Sequence, residues 1–278
     1  MIPAQPAVIP VIMYGTAWKE DQTEELVSLA IDVGFRAIDT ANQRKHYVEA
    51  GVGMALESAI KSGKVKREDI FLQTKFTYVG GQDHRLPYDP NAPVDVQVEQ
   101  SLVKSFENLK TDYLDAYVLH GPESSYALTP NDWKVWRKME SFVDAGKVRY
   151  IGVSNVNARQ LSELVTGAKI KPRFVQNRCY PAIGWDPQCR EICGHEDLIY
   201  QGFSLIRDPL LEASKPVVAA AAKYNCTIPQ LVYRWALQSG MMVLAGTSSR
   251  QHMEEVLAAE KLDIPEDALR VVGAVRRS

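Results

Sequence analysis

The sequence predicts an α/β fold, a closed (β/α)8 TIM barrel built as a single domain over residues 1–278. Eight short apolar runs alternate with segments of helical periodicity and never follow one another directly, a pattern that argues for a parallel sheet. Eight such units in 278 residues match a closed barrel, which occupies about 250 residues as one unit. An open doubly wound sheet that binds a dinucleotide would place GxGxxG in its first strand-to-helix turn. Here that turn reads Gly15-Thr16-Ala17-Trp18-Lys19-Glu20.

Val11 to Thr16 reads as the first buried strand, and Asp21 with Glu24 three positions on reads as a capping box that opens a helix. Leu26, Leu29, Ala30 and Val33 keep helical spacing up to Gly34, the residue type that a helix stop favours. Arg36 to Asp39 is the second strand, and a helix is expected from about Tyr47 to Ser62, with Val52, Ala55, Leu56 and Ile60 on one face. Ile70 to Lys75 is the third strand. The segment from Phe76 to Pro93 contains Gly80-Gly81, Pro87, Pro90 and Pro93, so it reads as a long irregular loop of the kind that serves a site.

Val98, Leu102, Ser105, Phe106 and Leu109 mark the next helix, and Leu114 to Leu119 is a strand that ends at His120. Thr129-Pro130 is an N-cap followed by proline at the first helical position. Val135, Trp136, Met139, Phe142 and Val143 form the buried stripe of that helix, which Gly146 closes. Tyr150 to Ser154 is the fifth strand, Asn157 to Leu164 a short helix, Phe174 to Asn177 the sixth strand and Ile199 to Ser204 the seventh. Helices over Lys215 to Tyr224 and Ile228 to Gln238 follow. Met241 to Gly246 is the eighth strand, and a helix runs from Ser249 or Arg250 to Ala259.

Hydrophobic content of 46% and charged content of 24% describe an ordinary globular chain. A net charge of −2 and the lack of a dense Lys/Arg cluster, beyond Arg276-Arg277 and Lys64-Val65-Lys66-Arg67, argue against a nucleic-acid partner. Pro6 and Pro10 interrupt the N-terminal apolar run and no apolar segment of about 20 residues appears, so neither a signal peptide nor a membrane span is expected and the chain is expected to be cytoplasmic. Cys179, Cys189, Cys193 and Cys226 are too scattered for a disulfide framework. Cys189, Cys193 and His195 lack a fourth ligand at metal-site spacing, so no metal is expected. No oligomeric state follows from the pattern.

Barrel chemistry sits at the C-terminal strand ends. In this sequence those ends carry Asp39, Lys75, His120, Ser154 with Asn155, Gln176 and Ser204, and Tyr47 follows Asp39 by eight residues. A lysine held by a carboxylate beside a phenol would lower the phenol's pKa from about 10 toward the working range, so that Tyr47 can exchange a proton near neutral pH. The competing reading for each residue alone is structural: a solvated strand-end lysine, a core histidine, a helix cap at Asn155.

With these residues in order, the chain resembles the aldo-keto reductase family over nearly its full length. The resemblance rests on Gly34-Phe35-Arg36-Ala37-Ile38-Asp39-Thr40-Ala41, the Lys75 strand end, Leu119-His120, Gly152-Val153-Ser154-Asn155, Gln176 and Arg234-Trp235-Ala236-Leu237-Gln238. It implies hydride transfer from a nicotinamide cofactor to a small-molecule carbonyl substrate, an aldehyde or a ketone, without a metal. Carried over by position, Asp39, Tyr47, Lys75 and His120 take the places of the family's catalytic residues, with Tyr47 as general acid and His120 orienting the carbonyl. Ser154, Asn155 and Gln176 would hold the nicotinamide carboxamide, with Phe203 stacked on the ring in place of the family's usual tyrosine and Ser204 beside it. Trp18, Tyr78 and Trp185 are the aromatic walls expected for the substrate.

The sequence departs from the family's pattern at three places. The family's tyrosine usually lies five residues after the aspartate, which here is Arg44. An insertion of three between Asn42 and His46 returns Tyr47 to the site; the alternative leaves Arg44 there, with no acid role near neutral pH. The Lys and Arg that often grip the 2′-phosphate of NADPH correspond to Gly246 and His252. In their place Thr247-Ser248-Ser249-Arg250 opens a helix that can bind an anion, with Arg250 supplying charge and Glu255 completing the set. NADPH is the expected cofactor, with NADH open. Only Lys261 to Ser278 follow the eighth helix, so the site is expected to be open. A cofactor-binding barrel with a regulatory role and little turnover is the alternative function, kept by Arg44.

Overall fold

Each apolar run of the sequence forms one stave of a closed barrel. The computed structural model describes residues 9–277. The strands are β1 (Ile12–Gly15), β2 (Ala37–Asp39), β3 (Phe71–Phe76), β4 (Leu114–Leu119), β5 (Val148–Ser154), β6 (Phe174–Arg178), β7 (Ile199–Phe203) and β8 (Met242–Ala245). They pair in parallel in chain order, and β8 closes on β1 through Ile12↔Val243 and Tyr14↔Ala245. The helices are α1 (Thr23–Val33), α2 (Glu49–Lys61), α3 (Val94–Leu109), α4 (Pro130–Asp144), α5 (Ala158–Gly167), α6 (Pro187–His195), α7 (Leu210–Ala213), α8 (Lys215–Lys223), α9 (Ile228–Gln238), α10 (Arg250–Ala258) and α11 (Glu266–Gly273). None is long and apolar enough to cross a membrane.

Side chains two apart on a strand share a face, and this period stacks the barrel interior in layers. Met13, Ala37, Phe71, Ala116, Phe174 and Met242 form an inner apolar cluster, with the Phe71 and Phe174 rings edge to face at 5.4 Å. Two residues farther along their strands come Asp39, Gln73 and Gln176, and two more along β3 comes Lys75. The interior therefore changes from apolar to polar toward the C-terminal ends of the strands. A larger core, including Val27, Leu56, Trp136 and Leu231, fills the space between the strands and the surrounding helices.

Several local expectations are corrected. Asp21 does not open a helix. It lies inside a 3₁₀ turn, Glu20–Gln22, and α1 begins at Thr23 with no side-chain cap from Gln22. The backbone explains this, because Trp18 and Glu20 both take positive φ, 62° and 47°, and the turn is closed by Gln22 N–H donating to the Lys19 carbonyl. Tyr47 lies outside α2, which begins at Glu49; its N–H bonds the Gln43 carbonyl in the preceding turn. The α6, α7 and α11 helices were not expected. They are short, and α6 has only Cys189 and Cys193 as fully buried positions, too few to give a periodic signal. The stop expected at Gly34 and the cap expected at Thr129 are present, Gly34 at φ 122° and Thr129 with reciprocal side-chain bonds to Asp132; Asn157, expected as the first residue of its helix, caps α5 through reciprocal bonds with Gln160.

Candidate active site

The C-terminal strand ends open on a cavity of about 2040 Å³. That exceeds the roughly 300–1,000 Å³ of an ordinary small-molecule site, so there is room for a dinucleotide and a second molecule. One arm is lined by Trp18, Tyr47, Tyr78, Pro93, His120 and Lys134; the other runs past Ser154, Gln176, Phe203 and Thr247 to His252 and Glu255.

At the junction of the arms lies a buried ion pair. Lys75 donates to both Asp39 oxygens, at 2.7 and 2.6 Å, and to the Thr40 carbonyl at 2.8 Å, which takes all three ammonium hydrogens. Asp39 is 1% exposed and Lys75 not at all. Burial lowers the Lys75 pKa, with the Asp39 carboxylate working against it. Such a pair is costly to break, because removing one partner strands the other charge in a water-poor interior.

Tyr47 packs over this pair. Its ring lies edge to face with His120 at 5.8 Å, and the Lys75 ammonium sits 5.1 Å from the ring centroid. The ammonium makes no hydrogen bond to the Tyr47 hydroxyl, its three hydrogens being taken by Asp39 and the Thr40 carbonyl. The expected lowering of the phenol's pKa is corrected: burial, and then the Asp39 carboxylate, push it up. Tyr47 stays protonated through neutral pH, the form an acid requires. His120 Nδ1 lies 2.7 Å from Thr77 Oγ1, and burial together with Lys75 and His46 holds its pKa well below the usual range, so it is neutral at pH 7.

Arg44 is outside the cavity lining. Its guanidinium pairs with Glu20 at 3.2 Å, while Arg85 bonds its backbone carbonyl at 3.1 Å. The insertion is held to its neighbours by Trp18 N–H on the His46 carbonyl (2.8 Å), the Trp18 and His46 rings at 3.9 Å, and Gln43 Nε2 on the Gly81 carbonyl (2.6 Å). Gln43 and His46 of this segment line the cavity beside Tyr47. Tyr78, whose hydroxyl donates to Asp132, is on the opposite wall, whereas Trp185 is 2% exposed and packs against Trp235 in the core, which corrects its expected place.

In the other arm, Ser154 Oγ donates to the Gln176 carbonyl at 2.7 Å and accepts from Asn155 Nδ2 at 3.1 Å. Asn155, at φ 53°, also donates to the His120 carbonyl at 2.7 Å. Gln176 Nε2 donates to Asp39 Oδ1 (3.2 Å) and Gln201 Oε1 (2.9 Å). The Asn155 and Gln176 amide oxygens, which make no hydrogen bond among the described residues, suit the two N–H donors of a planar carboxamide. Phe203 and Ser204 line the same stretch, with Arg178 5.7 Å over the Phe203 ring.

Thr247 and Glu255 line the far end, but Ser248, Ser249 and Arg250 do not. Ser249 instead caps α10 by accepting from His252 N–H, and Arg250 pairs with Glu254 on an exposed face. Besides Glu255, this end carries three residues not expected as cofactor ligands: His252, Arg207 and Lys19, whose ammonium bonds the Gly246 carbonyl. Arg178 is the last residue of β6 and Lys19 lies in the loop after β1, and those positions were the available signal. Cys189 and Cys193 are buried, and His195 is exposed beside Glu191; among the described residues no three His, Cys, Asp or Glu side chains converge as metal ligands.

The model of the Aldo/keto reductase family matches residues 12–276. The chain is 32% identical to rabbit (Oryctolagus cuniculus) prostaglandin-E(2) 9-reductase, over 97% of this chain and 89% of the relative. It is 30% identical to Estradiol 17 beta-dehydrogenase 5 of Mus musculus over the same shares. A crystal structure of a Bombyx mori aldo-keto reductase in complex with NADP superposes with a TM-score of 0.81 at 23% identity, over 96% of this chain and 89% of that one, a likeness of fold. The chain belongs to the aldo/keto reductase family.

Proposed function

We propose that the protein reduces an aldehyde or ketone to an alcohol with NADPH, and that Tyr47 donates the proton. A bound nicotinamide cofactor supplies the hydride. The observation that carries this reading is the placement of Tyr47, His120 and the Lys75–Asp39 pair at the point where the carboxamide-accepting arm meets the arm walled by Trp18 and Tyr78. Tyr47, kept protonated by its surroundings, gives its proton to the carbonyl oxygen as negative charge develops there. Neutral His120 is held by Thr77 and orients that oxygen. Ser154, Asn155 and Gln176 fix the carboxamide and so the face from which hydride leaves. Lys19, Arg207 and His252 suit the phosphates of a dinucleotide, which supports NADPH.

The printed names of the relatives, a prostaglandin reductase and an estradiol dehydrogenase, together with the apolar Trp18, Tyr78, Val79 and Val94, point to a bulky apolar carbonyl as substrate. The test is a panel of aldehydes and ketones followed by NADPH oxidation. Tyr47→Phe should lower kcat by about 10²–10⁴-fold with NADPH affinity unchanged, while Arg44→Ala changes kcat less than about twofold, because its pair with Glu20 is exposed. Equal turnover by parent and Tyr47→Phe would remove Tyr47 as the acid. Binding of NADPH with no turnover across the panel would favour the regulatory alternative.

A further inference from the structure

Beneath the site, three glutamines from three strands join Asp39 in a hydrogen-bonded ring, and two of them, Gln73 and Gln201, have no part in the proposed mechanism. Gln73 on β3 and Gln201 on β7 are fully buried, and Gln176 on β6 is 3% exposed. Strand register sets two contacts of the ring, because Asp39 is paired with Gln73 and Gln176 with Gln201 on neighbouring strands. Across the barrel interior Gln201 Nε2 donates to Gln73 Oε1 at 3.0 Å, and Gln73 Nε2 returns to Gln201 Oε1 at 2.9 Å and reaches Asp39 Oδ1 at 2.7 Å. Gln201 Oε1 therefore accepts from two amides, Gln73 and Gln176, each at 2.9 Å.

The ring decides which end of the Gln176 amide is free. Both Nε2 hydrogens are committed, one to Asp39 and one to Gln201, and the remaining polar atom, Oε1, makes no hydrogen bond among the described residues of a side chain that lines the cavity. A primary amide left to itself can rotate and present either end. This one is held so that it presents an acceptor.

We propose that Gln201, with Gln73 behind it, is a positioning residue that locks the Gln176 amide with its oxygen toward the cofactor, so that the carboxamide N–H of the nicotinamide is selected. The assignment rests on the nicotinamide reading given above. Its chemical consequence is discrimination: a dinucleotide whose ring carries a ketone in place of the carboxamide has no N–H to offer and leaves Gln176 Oε1 unpaired. Because Asp39 sits in the same ring, the orientation that reads the cofactor and the orientation of the Lys75 pair are fixed together.

The test compares dissociation constants, from quenching of tryptophan fluorescence, for NADP⁺, its 3-acetylpyridine analogue and 2′,5′-ADP, which lacks the nicotinamide. The parent should prefer NADP⁺ over the analogue about tenfold, the size expected for one unmet hydrogen bond. Gln201→Met should cut that preference at least about threefold and leave 2′,5′-ADP binding unchanged, since only the nicotinamide end is touched. Gln73→Met, which opens the ring from the β3 side, should act in the same direction and provides the reading if the first variant does not fold. A parent that binds NADP⁺ and the analogue equally overturns the assignment whatever the variants do. So does a variant that keeps the parent's preference, or one that loses 2′,5′-ADP affinity in step with it, the mark of a general structural role. Failure of the parent to bind both NADP⁺ and 2′,5′-ADP would instead remove the nicotinamide reading itself.

Discussion

Lys75 has no hydrogen left for Tyr47, since Asp39 and the Thr40 carbonyl take all three. Burial and the Asp39 carboxylate, not the ammonium, therefore set the phenol's pKa. The residue types and their strand ends were legible in the sequence, but the direction of the Tyr47 shift was not, because it is set by how deeply the fold buries the phenol and then by the Asp39 carboxylate. The same holds for Arg44 and Tyr47: counting residues could not separate them, whereas the ion pair to Glu20 keeps Arg44 out of the cavity lining. His120 gives a pH test at this scale. Its folded pKa is depressed, and an unfolded histidine titrates near 6.5. Below about pH 6.5 the unfolded chain binds a proton that the folded one refuses, so stability is lost as pH falls, by at most about 1.4 kcal/mol per pH unit. Urea unfolding of parent and His120→Gln at pH 7.5 and 5.5 should show the parent losing about 1 kcal/mol more than the variant on acidification. Taking the difference cancels Glu49, whose raised pKa acts the opposite way in both proteins. A pH-independent difference would show that His120 is not the group responsible.

The helix that follows Tyr47, α2, is anchored at its first residue by Glu49. This buried carboxylate in the first turn of α2 accepts from Thr74 of β3 at 2.5 Å and from Ser105 and Asn108 of α3 at 2.9 and 3.1 Å. One turn on, α2 and α3 approach so closely that a Cβ on Gly53 would lie 2.0 Å from the Asn108 carbonyl oxygen. No side-chain rotation relieves a clash with backbone, so Gly53→Ala must push the two helices apart. It should destabilise the protein by about 1–3 kcal/mol, read as a lower urea midpoint at unchanged m-value, and a midpoint within error of the parent would mean the contact is looser than described. Periodicity made α2 and α3 legible as amphipathic helices, and Thr129 and Asn157 announced the starts of α4 and α5. It gave no warning of α6 or α11, which have two fully buried positions each and lie where the chain was read as connection. Nor did it place Asp21, because the positive φ values at Trp18 and Glu20 on either side of Lys19 override the local capping pattern.

At the scale of the whole molecule, alternation of strand and helix patterns was enough to predict the barrel, since closure in chain order follows once eight parallel staves each carry a crossover. The glutamine ring was not legible. Gln73 and Gln201 sit mid-strand on β3 and β7, with nothing local to pair them, and only closure brings residues 128 positions apart into bonding distance. The cavity that closure creates spans both sides of the barrel, from the loops after β1, β2 and β3 to those after β6, β7 and β8. A dinucleotide lying along it touches elements from the two halves of the chain, so its binding free energy is linked to unfolding of the barrel as one body. At 100 times its dissociation constant NADPH should add about 2.7 kcal/mol, which for a domain of this size raises Tm by roughly 5–10 °C. Calorimetry should show one transition that moves as a whole. Two transitions, with only one displaced by NADPH, would mean that the halves unfold separately and that residues 1–278 do not form a single cooperative domain.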